Sequence, residues 1–242
     1  MRYAIISDIH GNREALDACL SDARHQSVDA VLCLGDLIGY GPDPNEVVER
    51  VREEADIIVG GNHDAGAVIN LDLFEFNPYA RASIEWTRGV LTPANRRFLG
   101  ELRVVAQLPD ALLVHSSPNM PREWRYMATV ADVEENFMAF SEKTCFVGHT
   151  HFPMIMEKGY DGSFRFFHQE TADLAEGARY IVNVGSVGQP RDGDARACYV
   201  VYDARVNRVT TRRVAYNFRE TQEKMKHVRL PGYLVDRLEA GR

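Results

Sequence analysis

Five apolar stretches in this 242-residue chain end abruptly in small clusters of Asp, Asn, His and Gly. The clusters are Ser7-Asp8-Ile9-His10-Gly11-Asn12, Gly35-Asp36, Gly60-Gly61-Asn62-His63-Asp64, Val114-His115 and Gly148-His149-Thr150-His151. Each follows directly on a strand-like run. In α/β sheets, ligands gather at the carboxyl ends of the strands, so five such ends bring these side chains to one place.

The runs between the clusters support that reading. Residues 2–7 read as a buried strand, Asn12 to about His25 as an amphipathic helix with Asn12 as its N-cap, and 29–34 as a second strand. Pro44 to about Glu54 is a helix and 56–59 a short strand. This β-α-β-α-β order predicts parallel strands with crossover helices. Residues 65–111 are rich in aromatics (Phe74, Phe76, Tyr79, Trp86, Phe98) and read as a helical insertion, with helices near 78–88 and 93–101. The strand 112–115 follows, then a loop at 116–127, a helix near 130–140 and the strand 144–148. From 152 onward, short strands separated by turns, Asp161-Gly162 being the clearest, indicate antiparallel hairpins. A final helix is expected at about 218–228, with a last turn after Pro231. Two packed sheets with helices outside fit this order better than one open sheet. No internal repeat or long linker divides the chain, so residues 1–242 are expected to form one domain.

The residue types narrow the chemistry. Asp8, His10, Asp36, Asn62, His115, His149 and His151 offer oxygen and imidazole donors without thiolate, a set suited to Mn, Fe, Zn and similar divalent metals rather than to structural zinc. Seven ligands exceed what one tetrahedral ion needs. One bridging carboxylate would give each of two ions about four protein ligands, the arrangement of two-metal sites roughly 3.5–4 Å apart that clamp a phosphoryl group. In Asp8-x-His10 and His149-x-His151, residues i and i+2 of an extended segment share a face, so each pair addresses one cluster. Any one of these motifs alone is more often a surface pair or a polar turn. Their joint occurrence, each after an apolar strand, carries the reading. His25, His168 and His227 lie outside the clusters and are assigned surface or core roles.

Composition excludes several classes. No apolar run approaches a bilayer-spanning length, and the chain enters a strand within three residues without a signal-peptide pattern, so a cytoplasmic location and no membrane partner are expected. Cys19, Cys33, Cys145 and Cys198 are scattered and read as buried thiols. The net charge of −7 is uneven, with ten Lys or Arg against four Asp or Glu over the basic segment 205–242, its strand and helix. Acidic residues gathered around cations account for the balance elsewhere, and a net acidic domain is a poor match for a nucleic-acid backbone. Stable nucleic-acid binding is therefore not expected. Oligomeric state is left open.

Taken together, Asp8-x-His10, Gly35-Asp36, Gly61-Asn62-His63-Asp64, His115 and Gly148-His149-x-His151 resemble the calcineurin-like metallophosphoesterase superfamily, close to its small bacterial and archaeal phosphodiesterase-like members, in which Gly-Tyr-Gly-Pro-Asp-Pro is a familiar form of the second motif. The resemblance implies a four-layer α/β/β/α sandwich with two mixed sheets and a dimetal site at one edge. It implies that Asp8, His10 and His151 bind one ion, that Asn62, His115 and His149 bind the other, and that Asp36 bridges them. Mn is the foremost metal implied, with Fe, Zn, Ni or Co as alternatives. It further implies that a metal-bridging hydroxide attacks phosphorus in line and that His63 is the proton donor to the leaving oxygen. Protein phosphatases of the superfamily read Gly-Asp-x-x-Asp-Arg-Gly where this chain has Gly39 and Tyr40, and carry an Arg where it has Gly60. A phosphodiester of a small molecule or nucleotide is accordingly the expected substrate. Phosphomonoesters and dinucleoside polyphosphates are alternatives, as is a metal-binding scaffold role on the same fold. Asn12, Tyr40, Arg122, Arg125 and Arg191 are candidate substrate contacts, and Trp124 or Tyr126 candidates to stack on a base or aryl group.

Overall fold

The computed structural model describes residues 1–242 except 70–72, 74 and 75. Phe74 of the aromatic-rich stretch therefore lies outside the described residues. The first half alternates as expected: β1 (Arg2–Ile6), α1 (Arg13–His25), β2 (Ala30–Cys33), α2 (Pro44–Glu54) and β3 (Ile57–Ile58). β1 pairs parallel with β2, and β2 with β3. The insertion holds α3 (Asn62–Val68), α4 (Pro78–Val90) and α5 (Pro93–Gly100). Then come β4 (Val105–Leu108), β5 (Ala111–Val114), a 3-10 turn at Pro121–Glu123, α6 (Val130–Met138) and β6 (Thr144–Val147). The remainder is β7 (Met154–Lys158), β8 (Phe164–Phe167), β9 (Thr171–Asp173), β10 (Arg179–Asn183), β11 (Ala197–Asp203), β12 (Arg208–Val214), α7 (Phe218–His227) and α8 (Gly232–Ala240).

Two mixed six-stranded sheets result, in the orders β3-β2-β1-β11-β12-β9 and β4-β5-β6-β10-β7-β8. Strand alternation builds the layers. Tyr3 and Ile5 of β1 face the second sheet and pack with Leu113, Phe146, Tyr180 and Val182 in the core between the sheets. Ala4 and Ile6 face the other way, onto Leu16 and Leu20 of α1 and Val47, Val48 and Val51 of α2. On the far side, Val114, Val147 and Ile181 pack against Val133 and Phe137 of α6. The order is helix, sheet, sheet, helix, as the sequence predicts. Strands covered on both faces read as continuous apolar runs, which is why they were legible.

Three boundaries differ from the sequence reading. The insertion does not reach residue 111: β4 is an edge strand of the second sheet, paired antiparallel with β5 across the Pro109-Asp110 turn. α3 begins at Asn62 itself, directly after β3, so the third cluster opens a helix. The segment after Pro231 forms a full helix, α8, rather than a turn, because Leu234, Val235 and Leu238 bury against Tyr40, Ala80 and Met225. The strand β9, with only Ala172 buried, was not anticipated. The four cysteines are buried and free. Among the described residues no helix is long and apolar enough to cross a membrane.

Candidate metal centre

The carboxyl ends of β1, β2, β3, β5 and β6 meet at one edge of the sandwich, and the loop after β10 joins them. Their loops are bonded to one another. The amide of Asp8 donates to Gly35 O at 3.0 Å, that of Gly148 to His115 O at 2.8 Å, and that of Gly188 to Asp8 O at 2.9 Å. The turns are tight. Asp8, His10, Asp36, Tyr40, His149 and His151 all have positive φ, between 51° and 67°. Non-glycine residues adopt this region at a cost of order 1–3 kcal/mol each, and they cluster where the surrounding structure holds a functional geometry.

Within 4.8 Å of one another, ligand atoms of Asp8, His10 and His151 form one group and those of Asp36, His115 and His149 a second, and a third group of His10, Asp36 and His63 links them, all buried. Asn62 joins the second, its Oδ1 lying 3.2 Å from His115 Nε2. Asp36 stands between the groups: its Oδ2 is 3.3 Å from His115 Nε2 and 3.7 Å from His10 Nε2. Asp8 Oδ1 is 3.3 Å from His151 Nε2 and 3.8 Å from His10 Nε2.

The remaining polar atoms of these side chains are engaged elsewhere. Asp8 Oδ2 accepts from the His149 amide at 2.9 Å, and Asp36 Oδ1 from the His63 amide at 2.8 Å. The Nδ1 atoms of His10, His115 and His151 face the carbonyls of Ile38, Leu34 and Gln189 at 3.1, 2.9 and 2.5 Å. A carbonyl can only accept, so Nδ1 carries a proton in each ring, and in the neutral rings of His10 and His151 Nε2 presents a lone pair inward. His10 Nε2 and His151 Nε2 thus face each other at 3.2 Å with no proton to share. Asp8 Oδ1 and His149 Nε2 are buried without a hydrogen-bond partner. Inward lone pairs, unpartnered buried acceptor atoms and a thiolate-free ligand set fit two divalent cations.

Electrostatics agree. Burial holds His10 and His151 well below the usual imidazole range and His149 at about 3, the neutral state that metal binding requires. His115 is the exception. Burial lowers it, but the charges of Asp36 and Asp8 prevail and push it up to about 9. The site draws positive charge to the place where the carboxylates converge.

Two glycines make the geometry possible. A Cβ on Gly148 would overlap Ser7 Oγ and Asp8 Oδ2, so the carboxylate rests on bare backbone. A Cβ on Gly39, at φ +87°, would overlap His63 Nδ1. His63 consequently has no carboxylate partner at this position, and its buried Nδ1 is unbonded. Aromatic contacts hold it instead, with ring centroids 4.5 Å from Tyr40, 4.8 Å from His10 and 5.3 Å from Phe76. Burial and then, against the pull of Asp36, the charge of Arg191 keep its imidazole down at about 4.

Asn62, His63 and His149 open onto a cleft of about 720 Å³ whose wall includes Tyr40, Phe76, Ala80, Arg122, Arg125 and Tyr126. Arg122 and Arg125 are exposed, and Arg125 pairs with Glu123 at 2.5 Å. Tyr126 stacks on His149 at 4.2 Å, and half-buried Trp124 meets His115 edge-on at 6.0 Å. Arg191 lies beside the cluster, its guanidinium 5.5 Å from the Tyr40 ring and hydrogen-bonded to Gln189 Oε1 at 2.8 Å. Asn12 is not brought to the cleft. Its Oδ1 accepts from the Ala15 amide and Thr221, and its Nδ2 donates to Gly188 O and Tyr216, so the side chain caps α1 and is saturated. Asp64, which closes the third cluster, has a structural role. Its Oδ1 takes the amides of Leu37 and Ile38 and its Oδ2 that of Gly61, which binds the Asp36 turn to the start of α3. His25, His168 and His227 are exposed and remote.

A model of the calcineurin-like phosphoesterase superfamily domain matches residues 1–207. The chain belongs to this superfamily. The uncharacterized protein MJ0912 of Methanocaldococcus jannaschii is 36% identical over 243 residues, covering 99% of this chain and 98% of its own. The crystal structure of a metallophosphoesterase from Sphaerobacter thermophilus is similar at a TM-score of 0.88 and 43% identity, covering 100% of this chain and 99% of that one. The hypothetical protein PH1004 from Pyrococcus horikoshii has the same fold, with a TM-score of 0.81 at 19% identity over 100% of this chain and 98% of its own. The phosphoesterase is thus a hydrolase of a family that depends on two metal ions, and its buried His and Asp groups fit that dependence.

Proposed function

We propose that this phosphoesterase hydrolyses phosphodiesters of small molecules or nucleotides at a pair of divalent ions, with Mn foremost. One observation carries the reading: the free oxygens of two buried carboxylates and ring nitrogens of four histidines converge on two adjacent groups, while the other carboxylate oxygens and the Nδ1 atoms of His10, His115 and His151 are bonded away. Asp8, His10 and His151 hold one ion, Asn62, His115 and His149 the other, and Asp36 is shared. When bound, such a pair acts as Lewis acid toward the phosphoryl oxygens and lowers the pKa of water for attack on phosphorus.

The chain's own residues position and protonate. His63 opens on the cleft beside Asn62 and is clamped by aromatic rings; its resting ring is neutral, and the anionic phosphate, once bound beside it, favours the protonated form that then gives its proton to the leaving oxygen. Arg191, whose guanidinium faces Tyr40 next to His63, stabilises charge on the nonbridging oxygens. Arg122 and Arg125 guide the anionic substrate at the mouth, and Tyr126 offers an aromatic face to a base or aryl group. Tyr40 and Gly60 stand where protein phosphatases have arginines, which leaves fewer bidentate partners for a dianionic monoester and favours the monoanionic diester. Metal analysis with thermal melts in Mn²⁺, followed by bis(p-nitrophenyl) phosphate and p-nitrophenyl phosphate turnover, tests the proposal. Absence of metal uptake, or turnover of the monoester alone, would overturn it.

A further inference from the structure

The helix α4 begins in the cleft wall. Its N-cap, Asn77, lines the cleft together with Phe76 and Ala80, opposite or beside His63 and Tyr126 of the same lining. The ring of Phe76, its neighbour in the chain, meets His63 edge-on at 5.3 Å, so Asn77 stands one residue from a direct contact of the proposed proton donor. The start of α4 is firmly placed. The amide of Tyr40 donates to Ser83 Oγ at 3.1 Å, Ser83 Oγ donates to Ala80 O at 2.9 Å, and Tyr79 stacks on Tyr233 of α8 at 4.6 Å. A side chain carried on such an element keeps its geometry when a substrate enters.

The Asn77 side chain is only half used. Its Oδ1 accepts from the amides of Tyr79 at 3.1 Å and Ala80 at 3.0 Å. Two N–H donors can face only the oxygen, so the amide has one orientation and its NH₂ group is turned away from the helix backbone. Among the described residues that NH₂ has no hydrogen-bond partner. Asn12, the cap of α1, differs, because its Nδ2 donates to Gly188 O and Tyr216. The Nδ2 atoms of Asn45, Asn119, Asn136 and Asn183 are likewise bonded to oxygens. Capping needs no amide nitrogen: Ser or Asp caps as well, and Asp interacts better with the helix dipole. Asn adds a donor, and no negative charge, to a cleft that receives an anion.

The cleft supplies the rest of a recognition site. Its volume of about 720 Å³ falls in the range of small-ligand sites. Tyr126 is 58% exposed, and Phe76 and Trp124 are half-buried, so aromatic surface is available to a planar group. We propose that Asn77 is a specificity residue whose fixed NH₂ donates to a carbonyl oxygen or ring nitrogen on one ester arm of the substrate, so that this arm is a nucleoside rather than a plain alkyl or aryl group. The inference rests on the phosphodiesterase reading above and narrows its substrate class to nucleoside phosphodiesters.

Two diesters with the same leaving group test it: thymidine 5′-(p-nitrophenyl) phosphate, whose base carries carbonyl oxygens, and phenyl p-nitrophenyl phosphate, whose second arm carries none. Asn77→Ser keeps an oxygen cap on α4 and removes the NH₂. In the Mn²⁺-loaded protein it should lower the ratio of kcat/KM for the thymidine ester over the phenyl ester about fivefold, the worth of one neutral hydrogen bond. Asn77→Asp, which caps at least as well, should lose the same preference and serves if the Ser variant melts low. An unchanged ratio in a variant that melts normally and holds its metals would overturn the assignment. If the wild type cleaves neither ester, the phosphoesterase reading fails separately. Calorimetric titration of thymidine 5′-phosphate and phenyl phosphate into the Mn²⁺-loaded wild type and Asn77→Ser then decides the assignment by the same ratio.

Discussion

The main-chain N–H of His63 donates to Asp36 Oδ1 at 2.8 Å. One carboxylate thereby shapes both halves of the site: Oδ2 faces His115 and His10, and Oδ1 anchors the residue proposed to protonate the leaving group.

Asp36→Asn therefore should disturb more than a ligand. Loss of an outer-sphere partner alone costs about 10–100-fold in metal affinity, and a shared inner ligand should cost more. We expect metal content and turnover to fall together, with the thermal shift on adding Mn²⁺ largely abolished. Retention of both ions with near-normal turnover would disprove the bridging assignment.

His63→Ala should keep both ions and the fold and lose about 10²–10⁴-fold in kcat for a diester with an alkoxide leaving group. The loss should shrink with nitrophenolate, which hardly needs a proton. An equal loss on both would reduce His63 to a phosphate contact.

Arg191→Ala should lower kcat/KM on an anionic diester by about tenfold, the value of one charge-assisted contact, with metal content unchanged. Arg122→Ala, at the exposed mouth, should lower it less and mainly at low salt. If neither changes kcat/KM, both arginines belong to the surface.

Gly148→Ala tests the packing of Asp8 against bare backbone. The added methyl must displace Ser7 or the Asp8 carboxylate, so the variant should melt lower and bind less metal than wild type. An unchanged melting temperature and metal content would show that the overlap is relieved cheaply.

A pH test addresses the fold rather than the site. Arg212 binds Asp22 through two hydrogen bonds of 2.9 Å and, with Tyr199, holds its carboxyl below the usual range. A depressed folded-state pKa stabilises above the unfolded value of about 3.9 and loses that contribution as pH falls through the folded value. Asp22→Asn should accordingly lower the melting temperature at pH 7 and matter little near pH 2. For this partly buried pair, still in contact with solvent, the effect should be about 1 kcal/mol.

What the sequence revealed follows from where the information sits. Each proposed ligand lies within a few residues of the strand that delivers it, so Asp8, Asp36, His115 and His149 could be singled out locally. α8 could not, because its spacing of Leu234, Val235 and Leu238 acquires meaning only from Tyr40 and Ala80, far away in the chain. β9 is too short to show alternation, and β4 hid at the end of a helical stretch. Asn12 illustrates the opposite error. Its place after Asp8 and His10 suggested a substrate contact, but the same residue type caps helices, and that role takes every polar atom it has.

The loops that carry the proposed ligands bond to one another, with Asp8 N on Gly35 O, Gly148 N on His115 O and Gly188 N on Asp8 O. Loops of most proteins exchange their amide hydrogens quickly because each can open alone. Here no loop can lift without breaking its neighbours' bonds, so these amides should exchange as slowly as those of β1 and β6, and only when both sheets come apart.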